Sequence, residues 1–224
     1  MIKVHTGVYL IGGYGFTRPD DCLIYLLDGG EEMAMIDCGL GVSVPLLYRN
    51  IESLGLEKER LKYVVATHGH IDHIGGLAAL KKQGVQVVAH AGDLPAIEEN
   101  NPYLNAAVYY GVDYRPVKVD IVMREETMEL SVGKVNLCLL HTPGHTPGSI
   151  AAYADIDGKR ILFGQDVHGP FDRAWRSDIG QWRKSMQLLL DLQADILCEG
   201  HYGVMEGRER VEDFIRQHLR AHPV

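Results

Sequence analysis

Thr67-His68-Gly69-His70-Ile71-Asp72-His73 packs four side chains able to ligate a metal into six residues. The segment directly follows a continuous apolar run at 61–67 and ends at Gly75-Gly76, which can open a helix. Four such groups on a turn at the end of a strand cannot be packing a core. Imidazole mixed with carboxylate suits zinc or iron better than calcium or magnesium. Alternation at 68 and 70 can aim two imidazoles at one ion, while Asp72 and His73 aim elsewhere, so the spacing suggests two ions. One loop does not complete two coordination spheres. Three more candidates stand in equivalent contexts: His145 in HTPGHTPGS, Asp166 in ILFGQD and His201 in ILCEGH, each after an apolar strand. Strand ends and loops are where a rigid scaffold presents ligands. The set of seven is enough for two metals with open positions. A non-catalytic, metal-stabilised module would need only four closed ligands.

The series His68-x-His70-x-Asp72-His73, then His145, Asp166 and His201 in that order, resembles the signature of the metallo-β-lactamase superfamily. Asp37, in MAMIDCG at the end of an apolar run, matches that family's first acidic position. The resemblance extends from about residue 8 to residue 203. It implies that His68, His70 and His145 hold a first metal and that Asp72, His73 and His201 hold a second. Asp166 and a hydroxide would bridge the two, and Asp37 would orient the His-rich loop by hydrogen bonding. The implied cofactor is a pair of divalent ions, zinc first, with iron or manganese as alternatives. The implied activity is hydrolysis of a small ester, thioester, lactone or phosphoester, with Asp72 able to steer the nucleophile or a leaving-group proton. Typical β-lactamases of this pattern carry Cys where Asp166 stands, and glyoxalase II-like chains continue further beyond the last histidine. Flavodiiron-type reductases carry an acidic residue at the position of His70. The rival reading is a persulfide dioxygenase-like enzyme with one iron on His68, His145 and Asp166, a two-His-one-carboxylate arrangement.

These residues need strands that end at one place. Apolar runs at 8–11, 23–27 and 33–36 are separated by Gly- and Asp-rich turns, with Gly29-Gly30 signalling a hairpin. Helical periodicity at 42–54 stops at Gly55; strands follow at 61–67 and 85–90, with a helix at 75–83 between them. Short strands return at 119–122, 128–130, 135–140, 150–153 and 160–163. The tail gives a helix at 178–192, a strand at 196–198 and a helix at 207–222. Strands and helices in both halves predict an α/β fold, a four-layer αβ/βα sandwich of two mixed sheets packed face to face with helices outside. One domain over 1–224 is expected. Two long loops, 100–116 and 168–182, could wall a substrate pocket with Tyr109, Tyr110, Phe171, Trp175 and Arg176.

The chain has 224 residues, 46% hydrophobic and 23% charged, as in ordinary globular proteins. Its net charge of −8 lacks a basic cluster, which argues against nucleic acid and anionic lipid as partners. A small-molecule substrate is expected, and a homodimer is left open. No apolar run reaches the ~20 residues of a membrane span. The N-terminus reads as a strand rather than a signal peptide, so a cytoplasmic location is expected. Cys22, Cys38, Cys138 and Cys198 form no C-x-x-C pair and read as small buried hydrophobes. His90 and His141 read as structural or supporting residues, His168 as rim, and His5, His218 and His222 as unrelated to the site.

Overall fold

The computed structural model describes residues 1–99 and 101–223. The N-terminal run breaks at Thr6-Gly7 into a hairpin, β1 (Ile2–His5) and β2 (Val8–Gly12). β3 (Ile24–Asp28) and β4 (Met33–Ile36) pair antiparallel across Gly29-Gly30, as the sequence predicts. From β4 onward the sheet grows by parallel addition of β5 (Leu61–Val65), β6 (Gln86–His90) and β7 (Ile121–Met123). Parallel neighbours require crossovers. These are α1 (Val44–Ser53), then α2 (Ile71–Ile74) with α3 (Leu77–Lys81), then α4 (Leu94–Glu98) with α5 (Ala107–Tyr110).

The second sheet holds β8 (Thr127–Val132), β9 (Val135–His141), β10 (Ile150–Ile156), β11 (Lys159–Gln165), β12 (Ile196–Glu199) and β13 (Gly203–Glu206). Their spatial order is β13-β12-β11-β10-β9-β8. Only β11 and β12 pair in parallel, and α6 (Ile179–Asp191) makes their crossover; α7 (Arg208–Ala221) closes the chain.

Side-chain alternation sorts the strand residues into stacked cores. In β4, Met33 and Met35 turn outward onto the layer of α1 and α3, with Leu47, Ile51 and Leu77. Ala34 and Ile36 turn inward and meet Leu139, Phe163 and Cys198 of the other sheet. On the far side Leu162 and Leu197 pack under Trp182, Met186 and Ile215 of α6 and α7. Three cores separate four layers, two mixed sheets with helices outside both, as the sequence predicts.

Several local expectations change. Half of the expected polar turn is α2, because Ile71 and Ile74 both enter the outer core and a spacing of three then requires a helical turn. The helix expected at 75–83 contracts to α3. β13 went unread because it is a half-exposed edge strand without alternation. Cys22, Cys38 and Cys198 are buried, whereas Cys138 is only half-buried; all four are free. Among the described residues no helix is long and apolar enough to cross a membrane.

The two sheets also touch through backbone. A Cβ on Gly29 would lie 1.7 Å from the Val132 carbonyl oxygen, and Lys134 N donates to Gly29 O at 2.9 Å. Gly29→Ala must therefore part the β3–β4 turn from the β8–β9 hairpin. A loss of about 2 kcal/mol, roughly 4–8 °C in Tm, is expected in thermal denaturation. An unchanged Tm would show that this seam is not closed.

Candidate metal centre

The C-terminal ends of β5, β9, β11 and β12 deliver their following residues to one place. Single ligand atoms from His68, His70, His145 and Asp166 lie within 4.8 Å of one another, and so do those of Asp72, His73 and His201. Asp166 stands between the groups with its oxygens divided. Oδ2 is 3.8 Å from His68 Nε2 and 3.5 Å from His145 Nε2, while Oδ1 is 3.4 Å from His73 Nε2 and 3.3 Å from His201 Nε2. Asp72 Oδ2 is 3.5 Å from Nε2 of both His73 and His201. His145 Nε2 and His70 Nδ1 are 3.0 Å apart. All seven residues singled out from sequence are thus brought together, four from the first sheet's half of the chain and three from the second.

The cluster is built for a cation. Nε2 of His68, His70 and His73 and Oδ1 of Asp166 are buried without a hydrogen-bond partner. Orphaned buried polar atoms cost about 1–3 kcal/mol each, so four in one cluster need a shared occupant. Burial pushes the His68 and His70 imidazoles well below their usual pKa and His145 down to about 4, leaving them neutral with lone pairs free at neutral pH. In the other group burial also opposes charge on His73, but Asp166, Asp72 and Asp37 outweigh it and hold the pKa well above the ordinary value. His201 is raised as well: burial works against it, and Asp166 prevails. Burial likewise works against the Asp166 anion, yet His73, His201 and His68 hold its carboxyl well below the usual range. Burial raises Asp72.

Hydrogen bonds outside the cluster fix each ring. Asp37, fully buried, accepts from Thr67 N at 2.8 Å, the Thr67 hydroxyl at 2.8 Å, His73 Nδ1 at 2.6 Å and Gln165 Nε2. It does so from a φ of 60°, and Gln165 from a φ of 46°. The His73 proton is therefore on Nδ1, and Nε2 is left for a metal. Cys22 lies beside Asp37 and His73, but burial pushes its thiol up, so it offers no thiolate. His145 donates Nδ1–H to Pro170 O at 2.8 Å. Its loop is set by Gly144, where φ is 137° and an added Cβ would lie 2.2 Å from Trp182 N. Asp93 ties the two ligand loops together: it accepts from Gly69 N and Gly148 N, both at 2.8 Å, and from the Thr146 hydroxyl at 2.6 Å.

The sequence profile of the metallo-beta-lactamase superfamily matches residues 17–201. The chain belongs to that superfamily. The Bacillus subtilis protein called probable metallo-hydrolase YybB is 25% identical over 185 residues, 79% of each chain. The Gallus gallus acyl-coenzyme A thioesterase MBLAC2 is 27% identical over 230 residues, 92% of this chain and 81% of that one. The fold matches a HARLDQ-motif mutant of a Cronobacter sakazakii metallo-beta-lactamase with a TM-score of 0.81, at 22% identity, over 98% of this chain and 94% of that one. The protein is a metal-dependent hydrolase of the superfamily.

Over the cluster of this metallo-beta-lactamase superfamily member lies a cavity of about 470 Å³, lined by His70, Asp72, Asp166 and His201 with Ala106, Tyr109, Tyr110, His168, Pro170, Asp172 and Trp175. Tyr109, Tyr110 and Trp175 thus stand where the sequence reading put them. Phe171 and Arg176 do not. Phe171 turns back onto Trp182 and His222, at ring distances of 5.1 and 5.0 Å. Arg176, at a φ of 59°, ends its turn facing solvent. His222 and His218 are closer to the site than expected: His222 backs Phe171, and His218 is 6.3 Å from His168. His5 bonds Ile156 O, and His90 stacks on His141 at 3.7 Å, both away from the cluster. Sequence reading missed Thr67, Asp93, Gln165 and Glu199 as supports. The fully buried Glu199 accepts from His168 Nδ1 at 2.8 Å, from His201 N at 2.7 Å and from Tyr202 N at 2.8 Å.

With three protein elements hung on one carboxylate, Asp37→Ala is expected to lower metal affinity or activity by roughly 10–100-fold. The far-ultraviolet circular dichroism spectrum should stay unchanged. Wild-type affinity in a chelator competition would sink this assignment.

Proposed function

We infer that the chain hydrolyses a small carboxylic ester, thioester or lactone at a binuclear centre. The observation that carries this is the division of Asp166, one oxygen toward each group of histidines. His68, His70 and His145 would hold one ion, Asp72, His73 and His201 the other, and Asp166 both; the orphaned nitrogens fit that assignment. Two ions there would bring the pKa of a water toward neutrality and polarise the substrate carbonyl. The chain supplies the rest. Burial, reinforced by Asp72, pushes the Tyr110 phenol up, so its hydroxyl keeps its proton at neutral pH and can donate to a substrate oxygen. Trp175, 4.5 Å from the His70 ring, supplies an apolar wall of the cavity beside the cluster. The name of the thioesterase relative supports acyl transfer to water. Among the described residues no lysine or arginine lines the cavity, which disfavours a phosphoester. Zinc is the ion best suited to a mixed imidazole and carboxylate set.

Metal analysis of protein purified without added metal tests the reading. Near two equivalents of zinc are expected, and Asp166→Ala should lose both ions together with activity. One equivalent of iron, with Asp72, His73 and His201 empty, would replace hydrolysis by the dioxygenase chemistry.

Proton competition should also separate the two groups. His73 and His201 have raised pKa values, so as the pH falls protons compete for them first. His68 and His70 are lowered and His145 stands at about 4, so their group resists until stronger acid. Metal content along a falling pH series should step from two to one before reaching zero. Simultaneous loss would contradict the division.

A further inference from the structure

The cavity wall away from the cluster has a composition of its own. Tyr109 and Trp175 meet edge to face, with centroids 5.9 Å apart and planes at 88°, so that their faces form two sides of a corner. Tyr110, from the same short helix as Tyr109, lines the cavity beside them. Asp172 lines it too, a carboxylate outside the seven-residue cluster. Its Oδ1 caps the turn that carries Trp175, accepting from Ala174 N at 2.8 Å, and its backbone N is held by the Ser177 hydroxyl. The carboxylate is thus fixed to the turn that presents the ring. Among the described lining residues there is no lysine or arginine to pair with it.

Electron-rich aromatic faces at right angles, with a carboxylate beside them and no lysine or arginine, are the arrangement that receives an organic cation. A purely apolar acyl chain would use the rings but would leave the Asp172 carboxylate to be desolvated with the neutral Ala174 N–H and no counter-charge. An anionic group would meet Asp172 as a like charge. The net charge of −8 draws cations toward the molecule as well. Tyr109 is 61% exposed, so this corner is at the rim, where a cation can sit apart from the ligand cluster.

We propose that the substrate carries a positively charged nitrogen, a protonated amine or a quaternary ammonium, seated against Tyr109, Tyr110, Trp175 and Asp172 while its carbonyl reaches the metal centre. The assignment rests on the hydrolase reading for the position of the carbonyl alone. Asp172 is a specificity-determining residue that selects charge.

The test uses the metal-loaded protein and binding separate from turnover. The probes are a methyl ketone bearing a trimethylammonium group, its primary-ammonium counterpart, and the tert-butyl isostere in which carbon replaces nitrogen. In calorimetric titration one of the cations should bind about 10-fold or more tightly than the isostere. The tighter of the two shows which nitrogen the corner takes. Asp172→Asn keeps an oxygen for Ala174 N and removes the charge, and should bring that ratio to within about 3-fold. Tyr109→Leu should also erode it, whereas Tyr109→Phe, which keeps the ring, should not. Equal binding of cations and isostere to the wild type overturns the proposal. So does an unchanged ratio in both Asp172→Asn and Tyr109→Leu. Turnover of the matching esters separates the two readings. Cleavage without preference for the cationic ester sinks the cation site and spares the hydrolase. Preferential cation binding without cleavage sinks the hydrolase and spares the site.

Discussion

A single buried carboxylate, Asp37, holds the active end of the molecule together. It accepts hydrogen bonds from the end of β5 through Thr67, from α2 through His73 and from the end of β11 through Gln165. Those elements belong to different sheets, so their mutual position at the site depends on one residue that touches no substrate. Because Asp37 is fully buried, each of these bonds forms at low dielectric, where a charged acceptor is strong and a missing donor is costly. The tautomer of His73 and the divided aim of Asp166 both depend on that arrangement.

Around this anchor the electrostatics are uneven. One group of imidazoles is neutral because burial, helped by the neighbouring imidazoles, outweighs Asp166; the other is pulled toward charge by Asp72 and Asp166. Asp166 faces both and belongs wholly to neither. The asymmetry arises from where carboxylates fall along the chain: α2 brings Asp72 beside His73, whereas His68 and His70 lie in the bend before it, with no acidic neighbour in sequence.

The candidate ligands were legible because chemistry is written into residue type: four metal-binding side chains in one turn have no other use, and His145, Asp166 and His201 each follow an apolar strand. The layers were legible from the alternation of strand runs and helical periods. What lay hidden was direction. Phe171 and Arg176 looked like pocket residues from their closeness to Asp166, but spacing within an irregular loop says nothing of which way a side chain turns. Asp93 and Glu199 were hidden for another reason. Each is an ordinary acidic residue in the sequence, and only tertiary structure shows that three donors converge on it. α2 has the sequence of a polar loop because its histidines and aspartate mask the two isoleucines that anchor it.

Asp37 and Gln165 both occupy left-handed backbone at the ends of strands, a conformation in which glycine would rest at lower energy. Each costs on the order of 1 kcal/mol that a glycine would recover. A glycine at 37 would, however, orphan Thr67 N, the Thr67 hydroxyl, His73 Nδ1 and Gln165 Nε2, at about 1–3 kcal/mol each, which outweighs the strain it relieves. Durability and chemistry therefore lean on the same strained carboxylate. Directed evolution toward a tougher form of this protein has room instead on α1, which gives no residue to the cluster or to its cavity.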